Sequence, residues 1–353
     1  MDLPNNNIEI GLRAALAAAL PQFADVEFEP LADKGLAHWH LRLIGTGLLA
    51  RIPKQSQMQL GTGQNLIYQQ ACFARASVTG FAPRVHMVLP PDHGLARGAL
   101  IVEEIVGRNA QLPRDMSSIA TALAALHSLD LPIASVRPPL LDSADPLADL
   151  LEEIKTQAKY LDPAHLNAAP RDAIEQELTI FAKAASAPKR PAKALVAFDA
   201  HPGNFVISQD RRAILVDLEK ARYSYPPLDL AHATLYTSTT WDAETAAELS
   251  IDETVAAYHV WTKAMGERGH TWHGWHVPLR RAMWLWSITW CAKWRVINAT
   301  SATQKCDGED WSAENSDAAL ITHVRNRVDC YLSPAIITQV REEFAALGDR
   351  LRE

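Results

Sequence analysis

The chain has 353 residues, 48% apolar and 21% charged, with 34 Lys and Arg against 41 Asp and Glu for a net charge of −7. That length holds two packed units, and the composition excludes disorder as the main state along with collagen-like, coiled-coil and disulfide-scaffold architectures. The four cysteines, Cys72, Cys291, Cys306 and Cys330, show no CxxC spacing and suit a reducing cytosol, so a cytoplasmic protein without a structural zinc is expected.

The first expected element is an amphipathic helix. Its apolar stretch Ala14 to Leu20 follows Asp2 and Glu9 with only Arg13 positive, which are not the flanks of a signal peptide. From Lys34 to Pro91 there is no acidic residue, only Lys34, Arg42, Arg51, Lys54, Arg75 and Arg84, whereas residues 1–33 carry −5 and residues 92–353 carry −8. A basic module beside an acidic one fits a site for an anion plus a cation, and equally a solvated basic face. Within the basic segment, His38–Leu43 and Leu48–Ile52 read as strands joined by the hairpin turn Gly45-Thr46-Gly47. Asn65 to Ala76 reads as a helix ended by Gly80-Phe81-Ala82-Pro83, and Leu100 to Gly107 as a buried strand leading to a domain boundary.

Beyond that boundary the pattern is mainly helical. Ser117 is placed as an N-cap, Ile119, Leu123 and Leu126 line one face, and Pro132 stops the helix. Asp172 to Ala185 forms another helix, and Leu195–Phe198, Asn204–Ser208 and Ala213–Leu218 read as short strands around a Pro-Gly loop. Helices resume after Asp229. The longest apolar run, Ala282 to Ala292, is cut off by Arg281 and Lys293 well short of the roughly 20 residues a membrane span needs. No nucleic acid or anionic membrane partner is expected, because neither is held without clustered positive charge.

The densest chemical signal is Asp199-Ala200-His201-Pro202-Gly203-Asn204, followed by Val216-Asp217-Leu218-Glu219 after an apolar strand. Phosphoryl transfer from a nucleoside triphosphate needs Mg²⁺, which prefers carboxylate and amide oxygens plus phosphate, and a carboxylate to orient the attacking hydroxyl. An Asp, an Asn five residues on and a second Asp after the next strand supply those parts in order. The chain carries neither a GxxxxGK[ST] phosphate loop nor a GxSxG elbow.

These residues, with Leu49-Ala50-Arg51-Ile52-Pro53, Val102-Glu103-Glu104, Leu123-Ala124-Ala125-Leu126-His127-Ser128-Leu129 and Pro227-Leu228-Asp229-Leu230-Ala231, resemble the aminoglycoside phosphotransferase and choline kinase group over most of residues 30–300. The resemblance implies an α+β, bilobal protein-kinase-like fold. Residues 1–103 would form an antiparallel-sheet nucleotide-binding lobe and residues 104–353 a mainly helical catalytic and acceptor-binding lobe, with Mg·ATP in the cleft. By resemblance Asp199 is the catalytic Asp, Asn204 and Asp217 are the Mg²⁺ ligands, and Asp229 holds the catalytic loop's backbone. Arg51 stands where the group usually holds a phosphate-binding Lys, with Lys54 as fallback, and the backbone of Glu103, Glu104 and Ile105 would take the adenine. No phosphoenzyme is expected.

Two departures from the group matter. Ala197 replaces a supporting His two residues before the catalytic Asp, and no acid between Lys34 and Pro91 pairs with Arg51, so Gln69 or Gln70 would have to orient it. They keep open a catalytically impaired, nucleotide-binding pseudokinase as the alternative to an ATP-dependent small-molecule kinase.

Eight of the ten tryptophans fall between Trp261 and Trp311, and Trp286, Trp290 and Trp294 recur on one helical face with Met283. That face is either a core stripe or an aromatic wall for an alkylammonium group. By resemblance Trp286, Trp290 and Glu219 would line the acceptor, a small-molecule hydroxyl compound of the amino alcohol, aminosugar or aminoglycoside type. His270, His273 and His276 read as a turn or core segment and not a metal site. The oligomeric state is not fixed by the sequence.

Overall fold

The structure, a computed structural model, describes residues 6–32, 37–92, 94–300 and 318–351. Asp2, Lys34, Cys306 and Trp311 lie outside them. The chain divides into two compact units, Met1–Val106 with Ala302–Thr322, and Gly107–Ser301 with His323–Glu353.

In the first unit, α1 (Asn6–Ala19) precedes β1 (Phe28–Pro30), β2 (His38–Leu43) and β3 (Leu48–Pro53), then α2 (Thr62–Ala76), β4 (Val85–Leu89) and β5 (Ala99–Glu103). The strands form one antiparallel sheet in the order β1-β2-β3-β5-β4. At the β2–β3 turn Gly45 and Gly47 adopt left-handed φ angles of 76° and 70°, which a residue with a Cβ resists. Thr46 closes that turn by donating its hydroxyl to Leu43 O at 2.7 Å and accepting from Leu48 N.

Strand alternation then sorts the side chains by face. Leu41, Leu43, Leu48, Ala50 and Ile52 join Leu12 and Leu16 of α1 in one apolar core. His40 lies directly opposite Arg51, so the other face of the β2–β3 pair carries the polar groups. Helix α2 starts three residues before the predicted Asn65, after Gly61.

The second unit contains β6 (Gly107–Asn109), α3 (Met116–His127), α4 (Pro146–Ala158), α5 (Ala168–Ala185), β7 (Ala194–Val196), β8 (Phe205–Ser208), β9 (Ala213–Leu215) and β10 (Arg222–Ser224). These are followed by α6 (Pro227–Thr234), α7 (Tyr236–Thr239), α8 (Ile251–Met265), α9 (His276–Thr300), most of α10 (Ala318–Tyr331), and α11 (Pro334–Arg350). Two small antiparallel sheets, β10-β7 and β6-β8-β9, carry the loops on which the Asp and Asn residues sit. The N-cap of α3 is Asp115 and not the predicted Ser117. The side chain of Asp115 is engaged by Arg108, at 2.6 and 2.9 Å, and by Gln111 N.

Helix α9 packs against α4, α5, α6 and α11 and buries residues around its circumference, including Leu279, Met283, Trp284, Ile288 and Trp294. A helix enclosed on all sides is apolar all round and shows no single wet stripe. Among the described residues no helix is long and apolar enough to cross a membrane.

Candidate active site

Strand β7 ends at Val196, and the chain turns through Ala197 and Phe198, the latter at φ 63°. A left-handed conformation costs a residue with a Cβ roughly 1–2 kcal/mol, so it persists only where other contacts hold it. Asp229, fully buried in the first turn of α6, does the holding. Its two carboxylate oxygens accept from Ala197 N at 2.7 Å and Phe198 N at 2.8 Å. A third partner is His127 of α3, whose Nε2 lies 3.0 Å from Asp229 Oδ2. The indole N–H of Trp261, which can only donate, lies 2.9 Å from His127 Nδ1. The imidazole is therefore the Nε2–H tautomer and donates to Asp229, leaving that buried carboxylate with three N–H donors. The support missing at Ala197 is thus met from Trp261, His127 and Asp229.

Past that turn, a small hydrogen-bond lattice joins the three predicted oxygen donors. Asn204 Nδ2 donates to Asp199 O at 2.8 Å, and Val216 N, adjacent to Asp217, donates to Asn204 O at 2.9 Å. Spending its NH₂ on Asp199 O leaves the Asn204 amide oxygen as the end that can meet a cation. That amide oxygen and the Asp217 carboxylate are the hard oxygen donors Mg²⁺ selects, so the residues fit the ion. Gly203 stands at a close approach: a Cβ there would sit 2.8 Å from the Cβ of Asp242.

The Asp199 carboxylate is itself engaged. Lys220 Nζ donates to Asp199 Oδ2 at 2.8 Å, and His232 Nδ1 lies 3.7 Å from Oδ1. Burial pushes a carboxyl upward, but Lys220, His201 and His232 outweigh it and hold Asp199 well below the usual carboxylate range. Lys220 is raised in turn: burial opposes its charge, and Asp199 and Glu219 more than restore it. His232 is pushed down to about 4, chiefly by burial, so it is neutral where Asp199 and Lys220 are both charged. His201, also lowered by burial, stacks edge-on to His232 at 6.0 Å.

Trp286 of α9 stands at this cluster, edge-on to Phe198 at 5.4 Å and to His232 at 6.2 Å. Its indole N–H donates to Glu153 of α4 at 2.6 Å. Trp290 points elsewhere and meets Trp241 at 5.7 Å, in an aromatic group that includes Tyr331. Trp294 is buried. The predicted stripe is therefore divided, with Trp286 in contact with the Asp199 cluster and Trp290 against Trp241. Glu219 is 3% exposed, and its backbone N–H faces Asp217 Oδ1 at 3.4 Å.

In the first unit, Arg51 is buried on β3 with its guanidinium over the Phe73 ring, 5.2 Å from the centroid. Its NH1 faces His40 Nε2 at 3.3 Å and its NH2 faces His38 Nδ1 at 3.4 Å, while His38 Nε2 faces Gln69 Oε1 at 3.0 Å. Since a guanidinium only donates, His38 Nδ1 accepts and its Nε2–H donates to Gln69. Gln69 thus reaches Arg51 through His38 and not directly, and Gln70 is exposed, which corrects the expectation that either amide orients Arg51. His40 is held well below its usual range, first by burial and then by Arg51, His38 and Lys54. Lys54, also buried, lies over the Trp39 ring at 5.6 Å.

The segment expected to take adenine has spent two of its donors. Glu103 N donates to Arg84 O at 2.8 Å and Glu104 N to Gly47 O at 2.9 Å, while the Glu104 carboxylate accepts from Arg42 Nε at 2.5 Å. That leaves the Ile105 N–H as the amide of this stretch for an adenine.

His38, His40, His232, Glu153 and Lys220 escaped the sequence reading as site residues. Only Lys220 had a local signal, its place three residues after Asp217.

Residues 74–264 match the model of the phosphotransferase enzyme family. No curated protein matches the sequence. Among solved structures, a choline/ethanolamine kinase family protein from Mesorhizobium loti is 18% identical with a TM-score of 0.57, the match covering 96% of this chain and 98% of that one. The GDP complex of wild-type aminoglycoside 2'-phosphotransferase-IIIa is 15% identical with a TM-score of 0.57, covering 92% and 99%. An ethanolamine kinase from Plasmodium vivax is 12% identical with a TM-score of 0.65, covering 97% and 91%. The fold is thus the protein-kinase-like one expected from the motifs.

Proposed function

The chain belongs to the phosphotransferase enzyme family, and from that premise we propose that it is an ATP-dependent small-molecule kinase that transfers the γ-phosphoryl group to a hydroxyl of its acceptor. One observation carries this reading: the Asn204 amide and the Val216 N–H tie Asp199, Asn204 and Asp217 into a single hydrogen-bonded unit, so base and metal ligands move together.

Asp199 orients the acceptor hydroxyl. The hydroxyl oxygen of the acceptor forms the new bond to phosphorus as the bond from phosphorus to the ADP oxygen breaks in line, and the hydroxyl proton leaves toward Asp199. With Lys220 on Oδ2 the carboxylate is a weak base, which suits a loose transition state in which the hydroxyl proton departs late. Asn204 and Asp217 would hold Mg²⁺, which when bound neutralises charge on the phosphates. Arg51 and Lys54 are assigned to the phosphates and the Ile105 N–H to adenine. The acceptor is assigned to the amino alcohol, aminosugar or aminoglycoside range; the names of the structural neighbours, choline/ethanolamine kinase and aminoglycoside phosphotransferase, support its two ends.

A non-catalytic nucleotide-binding scaffold is the reading that Ala197 and the lack of any acid between Lys34 and Pro91 leave open. The Asp229 and His127 contacts and the His38 and His40 contacts supply support at both places, which favours turnover. The test is ADP release from Mg·ATP across amino alcohols, aminosugars, aminoglycosides and simple sugars. Acceptor-stimulated, Mg²⁺-dependent release is expected; Mg·ATP binding without stimulation by any acceptor would favour the scaffold.

A further inference from the structure

We propose that Lys220 selects the acceptor, so that the compound phosphorylated presents an oxygen and not an ammonium group beside its reacting hydroxyl. This rests on the kinase reading above and narrows its range from small amino alcohols to polyhydroxylated compounds, aminosugars among them.

An alkylammonium acceptor is held by an aromatic face close to the catalytic carboxylate. Besides the His201 and His232 imidazoles, two aromatic rings among the described residues stand at Asp199, Trp286 and Phe198, and a cation of this chain already lies over each. Lys220 Nζ is over the Trp286 ring, 5.4 Å from its centroid, and the same ammonium is 2.8 Å from Asp199 Oδ2. The Arg222 guanidinium lies over Phe198 at 3.7 Å, and its Nε donates to Lys220 O at 3.1 Å. The indole cannot swing to offer its face to a ligand without giving up its bond to Glu153.

An acceptor ammonium would therefore have to displace Lys220 and be repelled by it, despite the −8 carried by residues 92–353. An oxygen next to the reacting hydroxyl finds the opposite. The Lys220 ammonium has three N–H donors, and one of them bonds Asp199. A vicinal hydroxyl or a carboxylate oxygen can accept from another while the reacting hydroxyl addresses the remaining Asp199 oxygen. In choline and ethanolamine the only group flanking the hydroxyl is the ammonium.

The test uses the full chain with Mg·ATP and compares ADP release with choline, ethanolamine, simple sugars, aminosugars and a hydroxy acid, for wild type, Lys220→Met and Lys220→Gln. The best polyhydroxylated acceptor should exceed choline and ethanolamine in kcat/KM by about tenfold or more, and the Lys220 variants should narrow or invert that ratio, as expected from one cation–π contact changing hands. A merely structural role would lower all acceptors alike and leave the ratio unmoved.

Tetramethylammonium binding, followed by tryptophan fluorescence, gives a readout that needs no turnover. It should bind Lys220→Met about tenfold more tightly than wild type. Choline or ethanolamine as the preferred wild-type acceptor, or equal tetramethylammonium affinity in wild type and variant, would overturn the proposal. Failure of every acceptor would count against the kinase reading instead, and the tetramethylammonium comparison would still decide this one. If Lys220→Met does not fold, Lys220→Gln carries both measurements.

Discussion

The catalytic loop and the Arg51 patch use opposite electrostatic devices. In the loop, carboxylates collect donors: Asp199 is paired with the Lys220 ammonium, and the buried Asp229 takes two backbone N–H groups and the His127 N–H. In the patch, Arg51 meets the neutral rings of His38 and His40 and the face of Phe73. Charge-assisted bonds fix geometry strongly, as a loop with Phe198 in a left-handed conformation requires. Bonds from a guanidinium to neutral imidazoles are weaker than an ion pair, which suits the phosphate role proposed for Arg51.

The largest effect expected from breaking this contrast is at Asp229. Asp229→Ala strands three buried donors, each costing about 1–3 kcal/mol. Chemical denaturation should show a loss of several kcal/mol by that count, and any folded fraction should lose kcat far more than affinity for ATP. A loss confined to stability, with kcat per folded molecule unchanged, would mean the loop does not depend on Asp229 for its catalytic shape.

On the other side of the comparison, Arg51→Gln should raise the KM for ATP by about tenfold, the equivalent of one contact of about 1.4 kcal/mol. Its kcat should change little, and Arg51→Lys should recover part of the loss. An unchanged KM would move the phosphate role to Lys54.

The smallest effect separates buried histidines from both devices. Burial, with His273 adding to it, lowers His276 to about 3, and His276 packs edge-on to Tyr258 at 4.9 Å. A histidine whose folded pKa lies below its unfolded value binds its proton more readily when unfolded, so stability falls as pH drops below about 6.5. His232, lowered to about 4, acts in the same direction. The Tm of wild type should fall more steeply between pH 6.5 and 4 than that of His276→Phe, which removes one of the lowered histidines and leaves His40, His201 and His232. Parallel curves would show that His276 adds nothing to that slope.

What could be read from the sequence was whatever is local in the chain. The β2–β3 hairpin follows from two glycines and alternating residues, and the order Asp199, Asn204, Asp217 lies within one run of loop and strand. The contacts that hold those groups were not readable, because they join distant positions. His127 and Asp229 are 102 residues apart, and Trp286 and Glu153 are 133 apart. Lys220 directly follows Glu219 in the chain, yet nothing in a loop sequence says that its ammonium turns to Asp199. The tryptophan stripe misled for a different reason. Helix α9 is buried around its circumference, so helical spacing alone could not separate Trp286, at the site, from Trp290 and Trp294, in packing.

The central claim is that Asp199, held in this lattice, does chemistry. Its most direct test is the rate of phosphoryl transfer by Asp199→Asn with the best acceptor, measured beside the Kd for Mg·ATP. The account predicts a fall in kcat of about 10²- to 10⁴-fold, the range for loss of a positioned acid–base group, with nucleotide affinity nearly unchanged. A variant that keeps the wild-type kcat would contradict it.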